Sequence, residues 1–217
     1  MATKRKRDGD TEDNKDEDSL PELVGWLEFT LPAWKDTATF VIENRKLSVS
    51  RHILALVSPV FRTMFNSEFL EQTQKEIPLP EKKFADMVEL MKCIYPNIKK
   101  PVTIENVWQI IPLADEYQID EILLECEKCL RSFLKRAHTY MYDDTDFNTE
   151  LFKILKAADR YNLQKLKYKC LRMGTDMSSE QVKETQKRIQ LPSHLLNKLL
   201  YRIVVDLERH CNTKPQV

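Results

Sequence analysis

The stretch ATFVIENRKLSVSRHILALVSPVFRTMF, at residues 38–65, decides the fold of this chain. Its first part, 38–43, is short and rich in β-branched and aromatic side chains, and a similar run follows at 46–49. Two such runs joined by a two-residue connection predict a β-hairpin, here with Asn44 and Arg45 in the turn.

The second half of the same stretch predicts two short helices. The Ser50 hydroxyl is suited to cap a helix over 51–58 by accepting a hydrogen bond from its first turn. Pro59 then stands at the first position of a helix over 59–65, where the missing backbone N–H is tolerated.

Further elements are predicted along the chain. The residues EIPLP at 76–80 are typical of a third strand ended by proline, and 82–95 carry apolar residues at helical spacing. Another helix is expected over 103–117, capped by Thr103 and kinked at Pro112, which lacks a backbone N–H. From there onwards the pattern is helical.

A repeated sequence dominates the second half. The copies are ADEYQIDEILLEC at 114–126 and ADRYNLQKLKYKC at 158–170. In each copy we expect a helix to end at the tyrosine, Tyr117 or Tyr161, and a second helix to follow after a turn of two or three residues. The repeat therefore predicts two helical hairpins that stack and cover each other's apolar faces.

Details of the repeat support this packing. Ala114 and Ala158 are small where two helices must approach, and the aspartates that follow, Asp115 and Asp159, are predicted to face the free N–H groups of each turn. An acidic loop at 143–150 is expected to join the copies. The last helix, residues 194–208, should close the stack with Leu196, Leu199, Leu200, Ile203 and Leu207.

Composition sets broad limits. The chain has 217 residues, enough for one large or two small domains, and only three glycines, which favours a helix-rich globule. The formal net charge is zero, so no overall field favours nucleic acid. However, basic residues outnumber acidic ones in 151–202, which predicts a basic surface there. No apolar run approaches 18 residues and the N-terminus is charged, so we expect a soluble intracellular protein whose five cysteines are reduced and buried.

The N-terminal 35 residues divide into two parts. Residues 1–19 carry 12 charged side chains and are predicted to be a disordered tail. Within this tail Lys4, Arg5, Lys6 and Arg7 form a candidate nuclear import signal, the alternative being a simple solvated tail. Residues 20–35 contain an apolar cluster of Leu20, Leu23, Trp26 and Leu27.

The stretch 38–65 resembles the opening of a BTB/POZ domain, especially in SPVFRTMF. The EIPLP strand, the MVELMKCIY helix and the LADEYQIDEILLECEKCL helix pair follow in that family's order. The resemblance implies an α+β fold, with a small sheet and surrounding helices over 36–133. The second copy of the repeat resembles the BACK or 3-box helical extension of cullin adaptors, here over 147–211. The chain is most similar to speckle-type POZ and BTB–MATH adaptors.

The resemblance also implies partners and contact residues. In cullin-binding members, a hydrophobic-x-Glu sequence after the second helix contacts cullin-3, and Phe69-Leu70-Glu71 matches it. Phe65 and Tyr95 fall at positions close to the cullin N-terminal domain in such adaptors. The cluster at 20–35 is similar to the segment that forms a homodimer in this family.

Other chemistries find little support. Cys126 and Cys129 lie in one helical pattern without a second ligand pair, so no metal is predicted. Residues 144–150 resemble the start of a calcium loop but lack its glycine and final glutamate, and a helix cap at Asp146 or Asn148 explains them better. The sequence contains no glycine-rich phosphate loop and no nucleophile–base constellation, so neither a cofactor nor an enzyme is expected.

Two functions follow as hypotheses. The first is a homodimeric adaptor that brings an unknown substrate protein to a cullin-3 ubiquitin ligase, in the nucleus or cytoplasm. The alternative is a nuclear oligomerisation or corepressor-type scaffold in transcription or chromatin. We recognise no MATH or kelch module in the sequence, so no part of the chain is assigned to recruitment of a substrate. Nucleic acid binding through the basic 151–202 surface is disfavoured, since exposed lysines on helices are usually only solvated.

Overall fold

The computed structural model describes residues 36–66, 76–140 and 145–212, and it begins with the predicted hairpin. Strand β1 (Thr37–Ile42) pairs antiparallel with β2 (Arg45–Ser50), with Ile42 opposite Arg45. The turn is therefore Glu43–Asn44, one residue earlier than predicted. Both turn residues have positive φ, 49° and 62°, as the two-residue turns that match strand twist require.

A third strand completes the sheet. Strand β3 (Glu76–Pro78) runs parallel to β1, with Ile77 opposite Phe40, and the strand order is β2-β1-β3. It ends two residues before the predicted limit at residue 80. A parallel pair needs a long crossover, and the two helices after β2 lie within that connection.

The remaining described residues are mainly helical. The helices are α1 (Arg51–Val57), α2 (Pro59–Asn66), α3 (Phe84–Ile94), α4 (Val107–Glu116), α5 (Asp120–Tyr140), α6 (Thr145–Arg160), α7 (Gln164–Met173), α8 (Ser179–Arg188) and α9 (Ser193–Asn212). Among these helices, none is both long enough and apolar enough to span a bilayer.

Several helix limits differ from the prediction. Helix α4 begins at Val107 and not at residue 103, because the Asn106 side chain accepts the Thr103 N–H at 2.7 Å and holds the preceding residues in a turn. Helix α5 runs past the predicted end at 133, with Ala137 buried on its last turns. The predicted domain limit at residue 133 therefore falls inside α5.

The acidic loop predicted at 143–150 is mostly helix. Since α6 begins at Thr145, Asp146 and Asn148 lie inside its first turns and not at the position before the helix, contrary to prediction. Asn148 is buried beside Phe147, whose ring meets the imidazole of His138 edge to face at 5.8 Å. Burial of Phe147 explains why helix formation starts earlier than the polar sequence indicates.

The last two helices were predicted least well. Helix α8 was not recognised as an element, although Ser178 and Gln181 form a capping box at its start. In α9, Leu195 and Leu199 are buried, whereas Leu200 and Leu207 are exposed. The predicted apolar stripe was therefore displaced around the helix.

The repeat forms two corners of the same geometry. In the α4–α5 corner, the Ile119 N–H donates to the Ala114 carbonyl at 2.8 Å, and Leu163 and Ala158 make the same bond at 2.8 Å in the α6–α7 corner. Such a bond to the carbonyl five residues earlier, together with a left-handed residue, defines a Schellman turn. The left-handed residues are Gln118 and Asn162, with φ of 51° and 54°.

The aspartates of the repeat act differently from the prediction. The backbone carbonyls of Asp115 and Asp159, rather than their carboxylates, accept the N–H groups of Gln118 and Asn162. The Asp159 carboxylate instead accepts from Lys167 Nζ at 2.7 Å and faces His194 Nε2 at 2.8 Å. One side chain thereby joins α6, α7 and α9.

Candidate functional site

Ser58 joins the first helices to the repeat. Its hydroxyl oxygen accepts the Phe61 N–H at 3.0 Å, which caps α2, and the hydroxyl donates to the Tyr117 carbonyl at 2.5 Å. Ser58 is fully buried, so neither bond competes with water. The start of α2 is therefore fixed against the α4–α5 corner.

Aromatic rings reinforce this junction. The Phe61 ring stacks on Tyr117 with centroids 4.3 Å apart, on Phe40 at 5.7 Å and on Phe65 at 6.1 Å. Burial raises the pKa of Tyr117 well above its ordinary value, so its hydroxyl stays protonated. The sheet, α2 and the first corner are therefore packed together through one aromatic cluster.

The two predicted contact residues that the structure describes are both buried. Phe65 is enclosed by Phe61 and the Arg51 guanidinium, 5.3 Å from its ring centre. Tyr95 is 5% exposed, and its hydroxyl accepts the Ser50 N–H at 2.8 Å. Burial raises the pKa of Tyr95, so the phenol stays neutral. These positions favour a role in supporting the surface over direct contact with a partner.

The other predicted contact residues, Phe69, Leu70 and Glu71, lie outside the described residues. The predicted import signal Lys4–Arg7 and the dimerisation cluster of Leu20, Leu23, Trp26 and Leu27 also lie outside them.

A groove lies between the two corners of the repeat. It has a volume of ≈570 Å³, and Leu123 and Leu124 of α5 contribute its apolar lining. Pro59 at the start of α2 lines one side, and Tyr161 and Lys165 line the other. Leu124 is 51% exposed, an unusual position for a leucine on a helix with a buried face.

Sequence reasoning missed Leu124, although a signal was present. The buried residues Ile122, Cys126 and Leu130 of α5 recur at helical spacing, and Leu124 falls outside that stripe. An apolar residue out of phase with the stripe points to solvent, and here it points into the groove. This groove is a candidate contact surface built from both copies of the repeat.

Glu127 on α5 also lines this groove. It is buried, and its carboxylate accepts the Leu166 N–H at 2.9 Å in the first turn of α7. Helix α7 has no side-chain cap of its own. A carboxylate at a helix N-terminus also complements the helix dipole. Thus one helical hairpin supplies the cap of the other.

A second groove borders α1. Its volume is ≈570 Å³, and Leu56, Val57, Ile94 and Ile122 are among its apolar lining residues. Leu56 itself is 78% exposed. A large exposed leucine next to an apolar groove is typical of a surface that another protein covers.

The thiols show no sign of reactivity. Cys126 is fully buried, and burial raises its pKa to about 12, so the thiolate is disfavoured. Cys129 is only half-buried, which corrects the expectation that the cysteines are buried. Within the described ranges, no three potential ligands come close enough together to hold a metal ion.

Comparison with known proteins agrees with this architecture. A family model for the BTB/POZ domain matches residues 35–134. The chain is similar to BTB and MATH domain-containing protein 38 of Caenorhabditis elegans, with 34% identity over 142 residues, which are 64% of this chain and 33% of that protein. It is also similar to BTB and MATH domain-containing protein 36 of Caenorhabditis elegans, with 27% identity over 77% of this chain and 48% of that protein.

Viral proteins also match. Kelch repeat and BTB domain-containing protein 1 of cowpox virus is 29% identical over 58% of this chain, which corresponds to 24% of the viral protein. The chain therefore spans less than half the length of each of these relatives. The BTB domain of human gigaxonin is similar at 21% identity and a TM-score of 0.35, over 41% of this chain and 72% of that chain.

Proposed function

Residues 35–134 form a BTB/POZ domain, and from this premise we propose that the chain is a homodimeric substrate adaptor for a cullin-3 ubiquitin ligase. A BTB/POZ domain is a protein-interaction module, and its relatives here are BTB–MATH and BTB–kelch proteins. Binding to cullin-3, formation of the homodimer and recruitment of a substrate are the parts of the proposal that go beyond this premise.

The observation that carries the cullin assignment is the Phe69-Leu70-Glu71 sequence that follows α2. Helix α2 is fixed at its start by Ser58 and along its length by the aromatic stack. A helix held in this way is a suitable support for an aromatic anchor, a kind of residue that often dominates binding at interfaces, with a carboxylate beside it to orient the partner. We propose that Phe65 and Tyr95 support this surface from beneath.

The groove between the corners offers a second contact for the same partner. Pro59 of α2 lines that groove, so α2 links it to the sequence that follows Asn66. We propose that the cullin domain contacts Leu124 in addition to Phe69 and Glu71. On this proposal, the repeat and the helix beside the sheet each supply one contact to the cullin domain.

The homodimer is supported by the α1 surface. Leu56 is exposed beside an apolar groove whose rim carries Lys99 and Glu121. In a two-fold contact the same patch meets itself, so residues of opposite charge on one rim can pair across the axis. We propose that a second copy of the chain covers this surface, with the cluster at 20–35 contributing.

Recruitment of a substrate and the site of action are also proposals. The names of the relatives pair the BTB domain with MATH or kelch modules, and this chain spans only part of those proteins. We propose that the helical extension contacts the substrate protein. The KRKR sequence stays a predicted import signal, consistent with action in the nucleus as well as the cytoplasm.

Calorimetry with the cullin-3 N-terminal domain tests the cullin assignment. The full chain should bind, and Phe69→Ala or Glu71→Ala should each weaken binding by about 2 kcal/mol or more, the scale of an interface hot spot. Tyr201→Ala and Glu208→Ala, on the exposed side of α9, are matched controls that should leave the affinity unchanged. If the folded chain does not bind, the oligomerisation scaffold becomes the better account.

A further inference from the structure

A basic groove runs between α5 and α7, on residues that the cullin and dimer proposals do not use. It has two lobes, of ≈510 Å³ and ≈300 Å³, which share Arg131 and Lys169. The first lobe is also lined by Lys165 and Arg172, and the second by Lys135. Lys128 also lines the second lobe and pairs with Glu125 at 2.7 Å. The groove therefore gathers six cationic side chains from two helices, and five of them lie outside any ion pair of the described residues.

The spacing of these residues explains the groove. Arg131 and Lys135 are four residues apart on α5, and Lys165 and Lys169 are four apart on α7, so each pair lies on one helix face. None of the five side chains forms an ion pair or hydrogen bond with another described residue. Like charges held together without carboxylates attract an anionic partner.

Tyr168 adds an apolar contact in the first lobe. It is 58% exposed, and the Arg202 guanidinium lies over its ring at 4.8 Å. With one ring face occupied by Arg202, the remaining ring surface suits contact with an apolar or aromatic side chain. A ligand for this groove therefore combines negative charge with at least one apolar group.

The length of the groove favours a short protein segment over a nucleic acid. Along α5 it is bounded by the ion pairs Lys128–Glu125 at 2.7 Å and His138–Asp176 at 3.6 Å. At 1.5 Å per residue, this part of α5 measures about 15 Å, the length of four or five extended residues. A longer phosphate backbone would meet the carboxylates of Glu125 and Asp176.

We propose that this groove binds a short acidic segment of a partner protein, rich in aspartate and glutamate and carrying an apolar residue against Tyr168. The carboxylates of the segment pair with the five cations, and Arg131 and Lys169 contact its centre. The first lobe adjoins the groove at Leu124, with which it shares Gln164 and Lys165, whereas the second lobe shares no lining residue with that groove.

Fluorescence anisotropy with the full chain tests the proposal. The probe is a fluorescein-labelled peptide of five residues, Glu-Asp-Phe-Glu-Asp, compared with Gln-Asn-Phe-Gln-Asn and with an oligothymidylate of eight nucleotides. We expect the acidic peptide to bind and its affinity to fall with added salt, while the amide peptide binds at least tenfold more weakly.

Charge-reversal variants locate the site. The Arg131→Glu/Lys169→Glu double variant should weaken binding of the acidic peptide at least tenfold. The Lys183→Glu/Arg188→Glu variant on α8 changes the net charge equally, lines neither lobe, and should stay within twofold. Equal losses in both variants, no binding of the acidic peptide, or tighter binding of the oligothymidylate would each overturn the proposal. Circular dichroism confirms that the variants remain folded.

Discussion

At Ser58, one hydroxyl group accepts a hydrogen bond from α2 and donates one to the α4–α5 corner, 59 residues away. The sequence shows Ser58 directly before Pro59, but it could not predict the hydrogen bond from Ser58 to the Tyr117 carbonyl, because that bond depends on tertiary packing. The same limit applies to Phe65 and Tyr95. Their residue types fit either a surface or a core, and only the packing places them in the interior.

Replacing Ser58 with alanine should destabilise the domain. The variant loses the cap of α2 and leaves the Tyr117 carbonyl without its donor, so the free energy of unfolding should fall by about 2 kcal/mol in urea denaturation. Ser132→Ala, at an exposed position on α5, is the matched control and should change stability by less than about 0.5 kcal/mol. If Ser58→Ala lowers the free energy of unfolding by less than about 0.5 kcal/mol, Ser58 does not link α2 to the α4–α5 corner.

Asp159 should make part of the stability pH-dependent. The hydrogen bond from Lys167 lowers the pKa of Asp159, and contact with His194 acts in the same direction. A carboxyl with a lowered folded-state pKa stabilises the fold fully above its unfolded pKa, near 3.9, and loses that contribution as pH falls through the folded value.

Stability measured from pH 6 to pH 2 should therefore fall less steeply for Asp159→Asn than for the unmodified chain. Glu81→Gln, at an exposed turn residue without an ion pair in the described chain, serves as the control and should leave the slope unchanged. Parallel curves for Asp159→Asn and the unmodified chain would show that the junction of α6, α7 and α9 does not titrate.

At the scale of elements, the repeat could be predicted well. Its two copies gave the positions of both corners, because the tyrosine, the small alanine and the apolar residue after the turn repeat at a fixed spacing. The limits of α5 and α6 could not be predicted, since buried residues such as Ala137 and Phe147 extend both helices through polar sequence. A contact between two elements that are distant in sequence leaves no local sequence pattern from which it could be predicted.

The cap of α7 by Glu127 is such a contact, 39 residues distant in sequence. Glu127→Ala should lower the free energy of unfolding by about 1 to 2 kcal/mol, because a buried N–H loses its acceptor at a helix start. Hydrogen exchange should quicken first at the amides of α7.

Glu125→Ala provides the comparison on the same helix. Glu125 is exposed and pairs with Lys128 on the surface, an interaction worth at most about 1 kcal/mol. If the two variants unfold alike, or if protection in α7 is unchanged by Glu127→Ala, the capping role is wrong.

For the whole molecule, the sequence predicted the α+β fold and the order of its elements through the resemblance to BTB/POZ domains. Surfaces were harder to predict, because their function depends on which side chains remain exposed after folding. Leu56 and Leu124 are both exposed beside grooves, and the sequence alone does not show that a groove lies next to either leucine. These two surfaces and the basic groove are all lined in part by α5.

The most direct test is the mass of the full chain mixed with the cullin-3 N-terminal domain, by size-exclusion chromatography with light scattering. The account predicts one complex of two chains and two cullin domains, because dimerisation and cullin binding use separate surfaces. Leu56→Asp should give a one-to-one complex by disrupting the dimer alone. Separate elution of a folded chain and the cullin domain would contradict the adaptor function.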